Sequence, residues 1–529
     1  MFLNNFYYHN IVTLLEAIIA IPIGAALAIA LGSPARPTAL AAAVVNMVLV
    51  FMVFGQYDLA TEGVYQLAGS HPIITVPDLA NPGAAATLLG LSTGVDGISL
   101  VLLLLTGIVT LAAVWVSPAE DQIKGSKRLY YLSSLLISAG ALGAFCSTDL
   151  FFFFAFHELA LIPTFLMIGI FGSGANRVRV AWKTTIYLGV GSMILLAGLV
   201  ALFVSLGGLS LQFADLQAWA NAPAAFASAS LENWIFLTLL VGFGILVSLF
   251  PFHTWAPEAY ATAPTPTAML HAGVLKKFGL YGLIRIALPM LPNGAAHWQT
   301  LLLVLLVGNI LYVGYVTIAQ QRFDLMLGNS SVMHMGYAFL GIAAMNVIGV
   351  QGAVMLMFAH GISIALLFAL NGHLRKRFGT LEFDRIGGGL GKLLPALGLT
   401  FGFAVMAMIG LPGFANFAAE VMIFFGGFSG VYSQQTGIVI GPVQVATMCA
   451  IWGVVISAVY GLRAYRRLFM GPLPEPGKGV ELADLSISDR IPLVLLILAL
   501  LVIGFAPGLL LKYLIPTIEN ISQFGSIAG

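Results

Sequence analysis

Long apolar runs recur along the whole chain of 529 residues and are separated by short polar segments. Many runs reach the roughly 18–20 residues that an α-helix needs to cross the hydrocarbon core of a bilayer. Backbone polar groups inside lipid must be satisfied within the segment itself, so such runs predict transmembrane helices. The pattern predicts an all-α polytopic membrane protein without a separate soluble domain.

The runs predict fourteen spans, and the loops between them are too short to build a core of their own. The first run is long enough to span, so we expect it to be retained and not cleaved. The spans lie near residues 11–32, 37–55, 97–117, 129–147, 150–171, 181–206, 233–255, 264–289, 298–319, 324–345, 350–372, 393–426, 441–464 and 491–512.

The distribution of basic residues supports that count. The loops between spans 2 and 3, 6 and 7, and 12 and 13 contain no Lys or Arg. By the positive-inside rule the basic loops are cytoplasmic, which places both termini outside the cell's inner (plasma) membrane. The basic loops hold Arg36, Lys124, Lys127, Arg128, Arg177, Arg179, Lys183, Arg322, Arg375, Lys376, Arg377, Arg385, Lys392, Arg466, Arg467, Lys478 and Arg490.

Composition narrows the classes of function. Hydrophobic residues make up 60% of the chain and charged ones 8%, and the net charge of +1 gives no reason to expect nucleic acid as a partner. Cys146 and Cys449 stand far apart in apolar sequence and have no metal-ligand spacing. Dinucleotide, phosphate-loop and iron–sulfur motifs are absent from the sequence. We therefore expect no catalytic residue, metal or cofactor in this chain, and we assign any redox chemistry to another polypeptide.

Two spans are interrupted. Span 7 carries prolines at 251, 257, 264 and 266, and span 12 carries Gly410, Pro412 and Gly413. Such residues break a helix, and irregular backbone at membrane depth must be buried in protein or line water. Because the breaks are five spans apart, they predict two five-helix repeats, spans 4–8 and 9–13, inverted relative to each other. The predicted divisions are 1–128, 129–289, 290–464 and 465–529. Proline kinks used only for packing remain an alternative for either break alone.

A few ionisable side chains lie deep inside these apolar runs. A charge at the bilayer centre costs about 2.5–3.5 kcal/mol on insertion scales, so such groups normally face a bundle interior or a wet cavity. They mark paths for ions or protons, and they predict a proton or cation conductor. The candidates are Glu158 in span 5, Lys276 and Lys277 in span 8, His334 in span 10, His360 in span 11 and Glu420 in span 12.

Weaker candidates accompany them. His157 points about 100° away from Glu158 on a helix, and it is either a second relay or a packed core residue. His253 and Glu258 flank the first break, and His271 precedes Lys277. For these three, capping and other structural roles remain open.

Seven phrases carry a resemblance to a known family. They are GVDGISLVLLLLTG, STDLFFFFAFHELALIPTFLMIGIFG, FPFHTWAPEAYATAPT, HAGVLKKFGLYGLIR, NSSVMHMGYAFLG, FAHGISIALLF and GLPGFANFAAEVMIFFG, in this order from about residue 94 to 426. With them the chain resembles the antiporter-like M subunits (chain 4) of respiratory complex I, the proton-pumping NADH:quinone oxidoreductase.

The resemblance implies fourteen spans and a proton path through Glu158, Lys277, His334, His360 and Glu420. It also implies a subunit without a catalytic centre, which moves protons while quinone is reduced elsewhere in the assembly. Its partners would be other membrane-arm subunits within the lipid bilayer. Flavin, iron–sulfur clusters and the quinone site would belong to partner subunits.

One position departs from the family pattern. The family usually has a lysine seven residues before the histidine of the HxW phrase, and His253 and Trp255 place Leu246 there. The usual cationic partner of Glu158 is therefore missing. We hypothesise that the additional Lys276 supplies the charge from the neighbouring helix, with Ser248 contributing at most a hydroxyl group.

Two other functions fit the same residues. Subunits of Mrp-type sodium/proton antiporters and of membrane-bound hydrogenases share this fold by resemblance. A membrane-arm spacer that lost pumping when position 246 became leucine is the third interpretation.

Overall fold

The computed structural model describes residues 13–60, 65–77, 85–222, 225–433, 437–472 and 483–521. The first two residues of predicted span 1, Lys478 and both chain termini lie outside these ranges. Helices cover each of the predicted apolar runs within the ranges described.

The helices are listed here in chain order. They are α1 Leu14–Ala30, α2 Ala35–Gln56, α3 Gly97–Val116, α4 Lys127–Cys146, α5 Leu150–Phe171, α6 Arg177–Ser205, α7 Phe213–Ala220, α8 Ala229–Val247, α9 Trp255–Thr262, α10 Thr265–Leu270, α11 Lys277–Gly282, α12 Leu288–Met290, α13 Pro292–Val307, α14 Val313–Ala319, α15 Phe323–Ala343, α16 Val347–Phe378, α17 Phe383–Ile386, α18 Leu390–Leu393, α19 Pro395–Met408, α20 Ala415–Phe428, α21 Pro442–Phe469, α22 Ile487–Phe505 and α23 Gly508–Ile521.

The structure is that of a multi-pass membrane protein. Within the described ranges, ten helices are long and apolar enough to cross a bilayer, with α13 and α14 counted as one. Three shorter apolar helices, α1, α19 and α20, accompany them. The prediction of a largely helical membrane protein is confirmed.

Helix α16 forms the centre of the bundle. Its most apolar window is entirely buried, and it packs against α3, α15 and α20. Small residues allow the close approach, since a Cβ added to Gly352 would lie 2.7 Å from the backbone nitrogen of Ile423. His360 lies on this central helix and is 1% exposed.

Both predicted breaks are present as gaps between helices. Helix α8 ends at Val247 and α9 begins at Trp255, while α19 ends at Met408 and α20 begins at Ala415. Ser248 adopts a left-handed conformation (φ 69°), and Gly410 does the same (φ 73°). The prolines and glycines of the two phrases therefore end one helix and allow another to start.

Asn309 holds the first break in place. Its side-chain nitrogen donates to the carbonyl oxygens of Ser248 and Val332, at 3.2 and 2.9 Å, and its oxygen accepts from the Phe250 amide. Asn309 itself lies on a π-helical turn, Gly308–Tyr312, between α13 and α14. A single buried amide thus satisfies backbone groups that the broken helix leaves without partners.

Predicted span 8 is less regular than its sequence indicates. It consists of α10, α11 and α12 joined by two π-helical turns, His271–Leu275 and Leu283–Ala287. A π turn adds a residue to the helical repeat and often occurs at functional sites. Lys276 follows the first turn directly, and Arg285 lies in the second.

The strictly all-α prediction needs one correction. Strands β1 (Gln66–Pro77) and β2 (Ala85–Val95) form an antiparallel hairpin in the predicted loop between spans 2 and 3. A second pair, β3 (Tyr432–Ser433) and β4 (Gly437–Ile438), is very short. The β-branched residues and alternation in QLAGSHPIITVP are typical of a strand, but the surrounding apolar runs hide that signal.

Replacing Asn309 with alanine tests the three hydrogen bonds that its side chain makes at the first break. Each buried group left without a partner costs about 1–3 kcal/mol, so we expect Asn309→Ala to lower the free energy of unfolding by roughly 3 kcal/mol or more. Thermal unfolding of the purified membrane assembly measures this. Gln320→Ala is the control, since the only hydrogen bond of the Gln320 side chain among the described residues is to the Val316 carbonyl of its own helix. Equal midpoints for the two variants would contradict the assigned role.

Candidate functional site

Glu158 lies on α5 beside His157 and pairs with it. Its Oε1 atom is 3.3 Å from His157 Nδ1, and the His157 ring stacks on Phe278 with 4.1 Å between ring centroids. The buried Ser192 hydroxyl of α6 lies beside the same carboxylate. The Glu158 side chain is 36% exposed, so one side of the carboxylate reaches the surface of this chain.

Leu246 occupies the position of the missing lysine. It is buried on α8 and faces α6, where a Cβ added to Gly191 would lie 3.4 Å from Leu246 Cδ2. Among the described side chains, Glu158 has an ion pair with His157 and none with a Lys or Arg. The direct pairing of Lys276 with Glu158 is thus not seen, and the effect of Lys276 on pumping stays a prediction.

The two adjacent lysines of span 8 point to different partners. Lys276 is 1% exposed and donates to Ser331 Oγ at 3.4 Å, with its Nζ 5.5 Å from the centre of the Tyr260 ring. Lys277 is 0% exposed and donates to the Ala272 carbonyl at 2.6 Å. Both partners are neutral oxygens, so neither ammonium group is held by a carboxylate.

His271 lies between the first pair and the lysines. Its ring is 5.5 Å from that of Trp255 and 5.6 Å from that of Tyr260, centre to centre. Neither ring nitrogen has a hydrogen-bond partner among the described atoms. Buried polar atoms of this kind are usually satisfied by ordered water. We therefore expect His271 to bind water between His157 and Lys276.

The two central histidines face each other across α15 and α16. Their rings stack with 5.2 Å between centroids and 18° between planes. His360 Nε2 is 3.1 Å from Ser331 Oγ, the hydroxyl group that also accepts from Lys276. His334 is 2.8 Å from the Ser330 carbonyl and 3.0 Å from the Met408 carbonyl, at the end of α19.

A hydroxyl pair continues the series toward Glu420. Ser330 Oγ is 2.7 Å from the Tyr460 hydroxyl, and Glu420 lies within electrostatic reach of Tyr460. Glu420 is buried against the second break, where a Cβ added to Gly410 would lie 2.5 Å from Oε2. The glycine of the break thus leaves the space that the carboxylate occupies.

Sequence reasoning missed Ser330, Ser331 and Tyr460. The two serines precede His334 by four and three residues, which puts all three side chains on one side of a helix. That spacing was a usable signal. Tyr460 had none, because it reaches Ser330 from 130 residues away along the chain.

The remaining candidates lie at the first break and off this series. Glu258 pairs with Lys183 of α6 at 2.9 Å, and Lys183 also donates to the Thr254 carbonyl at 3.1 Å. His253 stacks on Phe250. The hydroxyl group of Ser248 donates to the carbonyl of Val247. These groups bind the broken segment to its neighbours, and their part in proton movement stays a prediction.

A second buried ionic group escaped the sequence reasoning. Asp96 and Arg285 form an ion pair, with 3.2 Å between Oδ2 and Nε, and each side chain is 1% exposed. Asp96 also caps α3 by accepting from the Ser99 amide at 2.8 Å. Asp96 is buried because the β-hairpin and α23 cover this end of α3.

The fold and this series of buried groups define a class: polytopic helical membrane proteins with ionisable side chains aligned through the bundle interior. The chain belongs to the transmembrane family described as NADH:quinone oxidoreductase/Mrp antiporter, whose model matches residues 147–447. It is similar to "NAD(P)H-quinone oxidoreductase chain 4 2" of Thermosynechococcus vestitus, with 35% identity over 477 residues, which is 90% of this chain and 84% of that protein.

Another relative and one solved structure agree with this membership, and a second solved structure shares the fold. "NADH-quinone oxidoreductase subunit M" of Rhodobacter capsulatus is 32% identical over 464 residues, 84% of this chain and 86% of that one. A chain of respiratory complex I from Thermus thermophilus with bound NADH aligns with a TM-score of 0.81 and 28% identity, covering 97% and 99% of the two chains. A chain of the Mrp complex from Dietzia sp. DQ12-45-1b shares the fold, with a TM-score of 0.80, 19% identity and coverage of 97% and 99%.

His334 and His360 differ in their hydrogen-bond partners, so the two leucine variants should differ in thermal stability. His334→Leu leaves the Met408 carbonyl at the second break without its partner, and a buried group in that state costs about 1–3 kcal/mol. His360→Leu removes one contact to Ser331, whose hydroxyl keeps Lys276. We expect the thermal midpoint of the purified assembly to fall further for His334→Leu. A larger fall for His360→Leu would contradict this account of the break.

Proposed function

We propose that this chain is a proton-translocating membrane-arm subunit of a complex I-type oxidoreductase. One observation carries the proposal: Ser331 joins Lys276 to His360, the His360 ring stacks on that of His334, and Ser330 joins His334 to Tyr460, which lies within electrostatic reach of Glu420. The contacts join span 8 of the first half to span 12 of the second. Uncharged relay groups between two titratable ends suit proton transfer better than passage of a metal cation.

In this proposal Glu158 and His157 take up the proton. His271 carries it toward Lys276, the serines and stacked histidines pass it across the centre, and Glu420 releases it. A cavity of about 580 Å³, lined by Glu258, Asp324 and Arg375 among others, opens beside α9 on the side of the basic loops. It offers water a way to the first break from the cytoplasmic side.

The proposal includes fourteen spans in the inner membrane with both termini outside. Helices stand at every predicted run, with α8 and α9 forming span 7 and α19 and α20 forming span 12. The two broken helices support inverted repeats formed by spans 4–8 and 9–13. On this division the chain consists of residues 1–128, two five-helix units at 129–289 and 290–464, and a final region at 465–529.

The exposure of Glu158 supports partner subunits. A carboxylate that is 36% exposed within an apolar helix would face lipid in an isolated chain, at a cost of several kcal/mol. Its neighbour Ile162, one turn along the same face, is also exposed. We infer that another membrane subunit covers this face. Flavin, iron–sulfur clusters and the quinone site belong to partners, and this chain has no catalytic centre.

Two alternatives remain distinct in their consequences. A subunit of an Mrp-type antiporter or of a membrane-bound hydrogenase would move protons without quinone reduction. The relatives at 35% and 32% identity carry quinone oxidoreductase names, which favours the complex I-type assignment. A membrane-arm spacer is consistent with Leu246, and it would leave proton yield unchanged when the buried groups are altered.

Glu420→Gln tests translocation itself. The amide keeps the shape of the side chain but cannot give up a proton, so we expect the proton flux carried by this chain to fall about tenfold or more. Proton uptake per electron in membrane vesicles of the intact assembly measures this. Glu519→Gln, on α23, is the control. A yield equal to wild type in Glu420→Gln would support the spacer alternative.

Lys276 can be tested against position 246. We expect Lys276→Met to abolish pumping by this chain while the assembly remains intact, because Ser331 loses its proton donor. Adding Leu246→Lys should not restore pumping, since position 246 faces Gly191 of α6, whereas Ser331 lies on α15. Restoration in the double variant would show that Lys276 acts as the substitute for the missing cation. Full pumping in Lys276→Met alone would eliminate both accounts.

A further inference from the structure

The buried pair of Asp96 and Arg285 has no part in the path described above. It joins the start of α3 to the second π-helical turn of span 8, and Arg285 Nε also donates to the Tyr65 hydroxyl at 2.8 Å. The two terminal guanidinium nitrogens have no hydrogen-bond partner among the described atoms. A fully buried ion pair is weak evidence for stability, because desolvation offsets its attraction.

Two hydroxyl groups, those of Tyr281 and Ser99, lie between this pair and the middle of span 8. Tyr281 lies one helical turn beyond Lys277, on the same face of α11. Its hydroxyl is 3.1 Å from Ser99 Oγ, and the backbone of Ser99 donates to Asp96 Oδ1 at 2.8 Å. Tyr281 and Ser99 therefore stand between Lys277 and Asp96. The hydroxyl–hydroxyl contact is made in the structure, whereas Lys277 reaches Tyr281 only after it leaves the Ala272 carbonyl, and Ser99 touches Asp96 through its backbone amide.

The far end of this line approaches the surface. Tyr57, at the end of α2, is half-buried and lies within electrostatic reach of Asp96. The hydroxyl group of Thr517, on α23, accepts a hydrogen bond from the Gly97 amide at 2.9 Å. The loop between spans 2 and 3, which holds the hairpin over this end, contains no Lys or Arg and so belongs to the outer side by the positive-inside rule.

We propose that Lys277 feeds a separate outward branch for protons through Tyr281 and Ser99 to the Asp96–Arg285 pair. The inference rests on the proposed translocation and adds a second exit to it. One proton leaves the Lys277 ammonium for the Tyr281 oxygen, the Tyr281 hydroxyl proton passes to Ser99, and the Ser99 hydroxyl proton passes to the Asp96 carboxylate. No bond other than these O–H and N–H bonds changes, and no electron moves.

The branch has a gate in the position of Lys277. In the structure its Nζ binds the Ala272 carbonyl, one turn away from Tyr281 in the opposite direction. A lysine on its flexible stem reaches either partner by rotation of single bonds. The two adjacent lysines then pass protons along different paths. Lys276 passes them through Ser331 to the second half of the chain, and Lys277 passes them to the outer side.

Tyr281→Phe removes one hydroxyl from the branch and leaves the ring that packs on Phe145 and Phe153. We expect it to lower the proton yield per electron by the same fraction as Lys277→Met. Quinone reduction in uncoupled membranes should keep its wild-type rate. Tyr131→Phe is the matched control, since that buried hydroxyl donates to the Pro118 carbonyl in a loop on the basic side.

Ser99→Ala is the second variant and decides the case if Tyr281→Phe fails to assemble. Wild-type proton yield in Ser99→Ala, or in an assembled Tyr281→Phe, overturns the branch. If Lys277→Met and Glu420→Gln still lower the yield in that experiment, the proposed translocation stands without the branch. If they too have no effect, the proposed function itself fails.

Discussion

The cost of placing charge in an apolar bundle constrains this whole structure. Lys276 and Lys277 are almost completely buried, yet their nearest partners are a hydroxyl and a carbonyl oxygen. A carboxylate partner would hold each ammonium group in its charged form, whereas a neutral oxygen accepts a hydrogen bond from the ammonium group and from the neutral amine alike. Either lysine can therefore lose a proton without leaving an uncompensated negative charge beside it.

Irregular helices supply backbone carbonyl oxygens to the buried ionisable groups. The Ala272 carbonyl that binds Lys277 lies in a π-helical turn, and the Met408 carbonyl that faces His334 ends α19 at the second break. A regular α-helix would use both carbonyls internally. The breaks and π turns thus do more than bend the chain, because they free backbone dipoles at the depth where ionisable side chains need partners.

Much of this arrangement could be predicted from local sequence. Polar residues within apolar runs identified Glu158, the two lysines, His334, His360 and Glu420, and the Pro and Gly phrases identified both breaks. The β-hairpin, the π turns and the contact of Asp96 with Arg285 could not. Those two residues are far apart in sequence, and a single arginine near the end of a span looks like an interfacial anchor. Which way each adjacent lysine points depends on packing, since spacing shows only that they diverge.

The pairing of Glu158 with His157 changes how the charge on Glu158 can be coupled to the first break. Both residues lie on α5, so their contact does not depend on the position of α8, and α8 presents only the apolar Leu246 at the corresponding place. Helix α6 touches both sites. Its Ser192 lies beside the Glu158 carboxylate, and its Lys183 holds the Thr254 carbonyl inside the break. A mechanical link between the charge on Glu158 and the broken helix therefore runs along α6, or through Phe278 of α11, which contacts both His157 and Phe243 of α8. A family lysine at position 246 would have made the link directly.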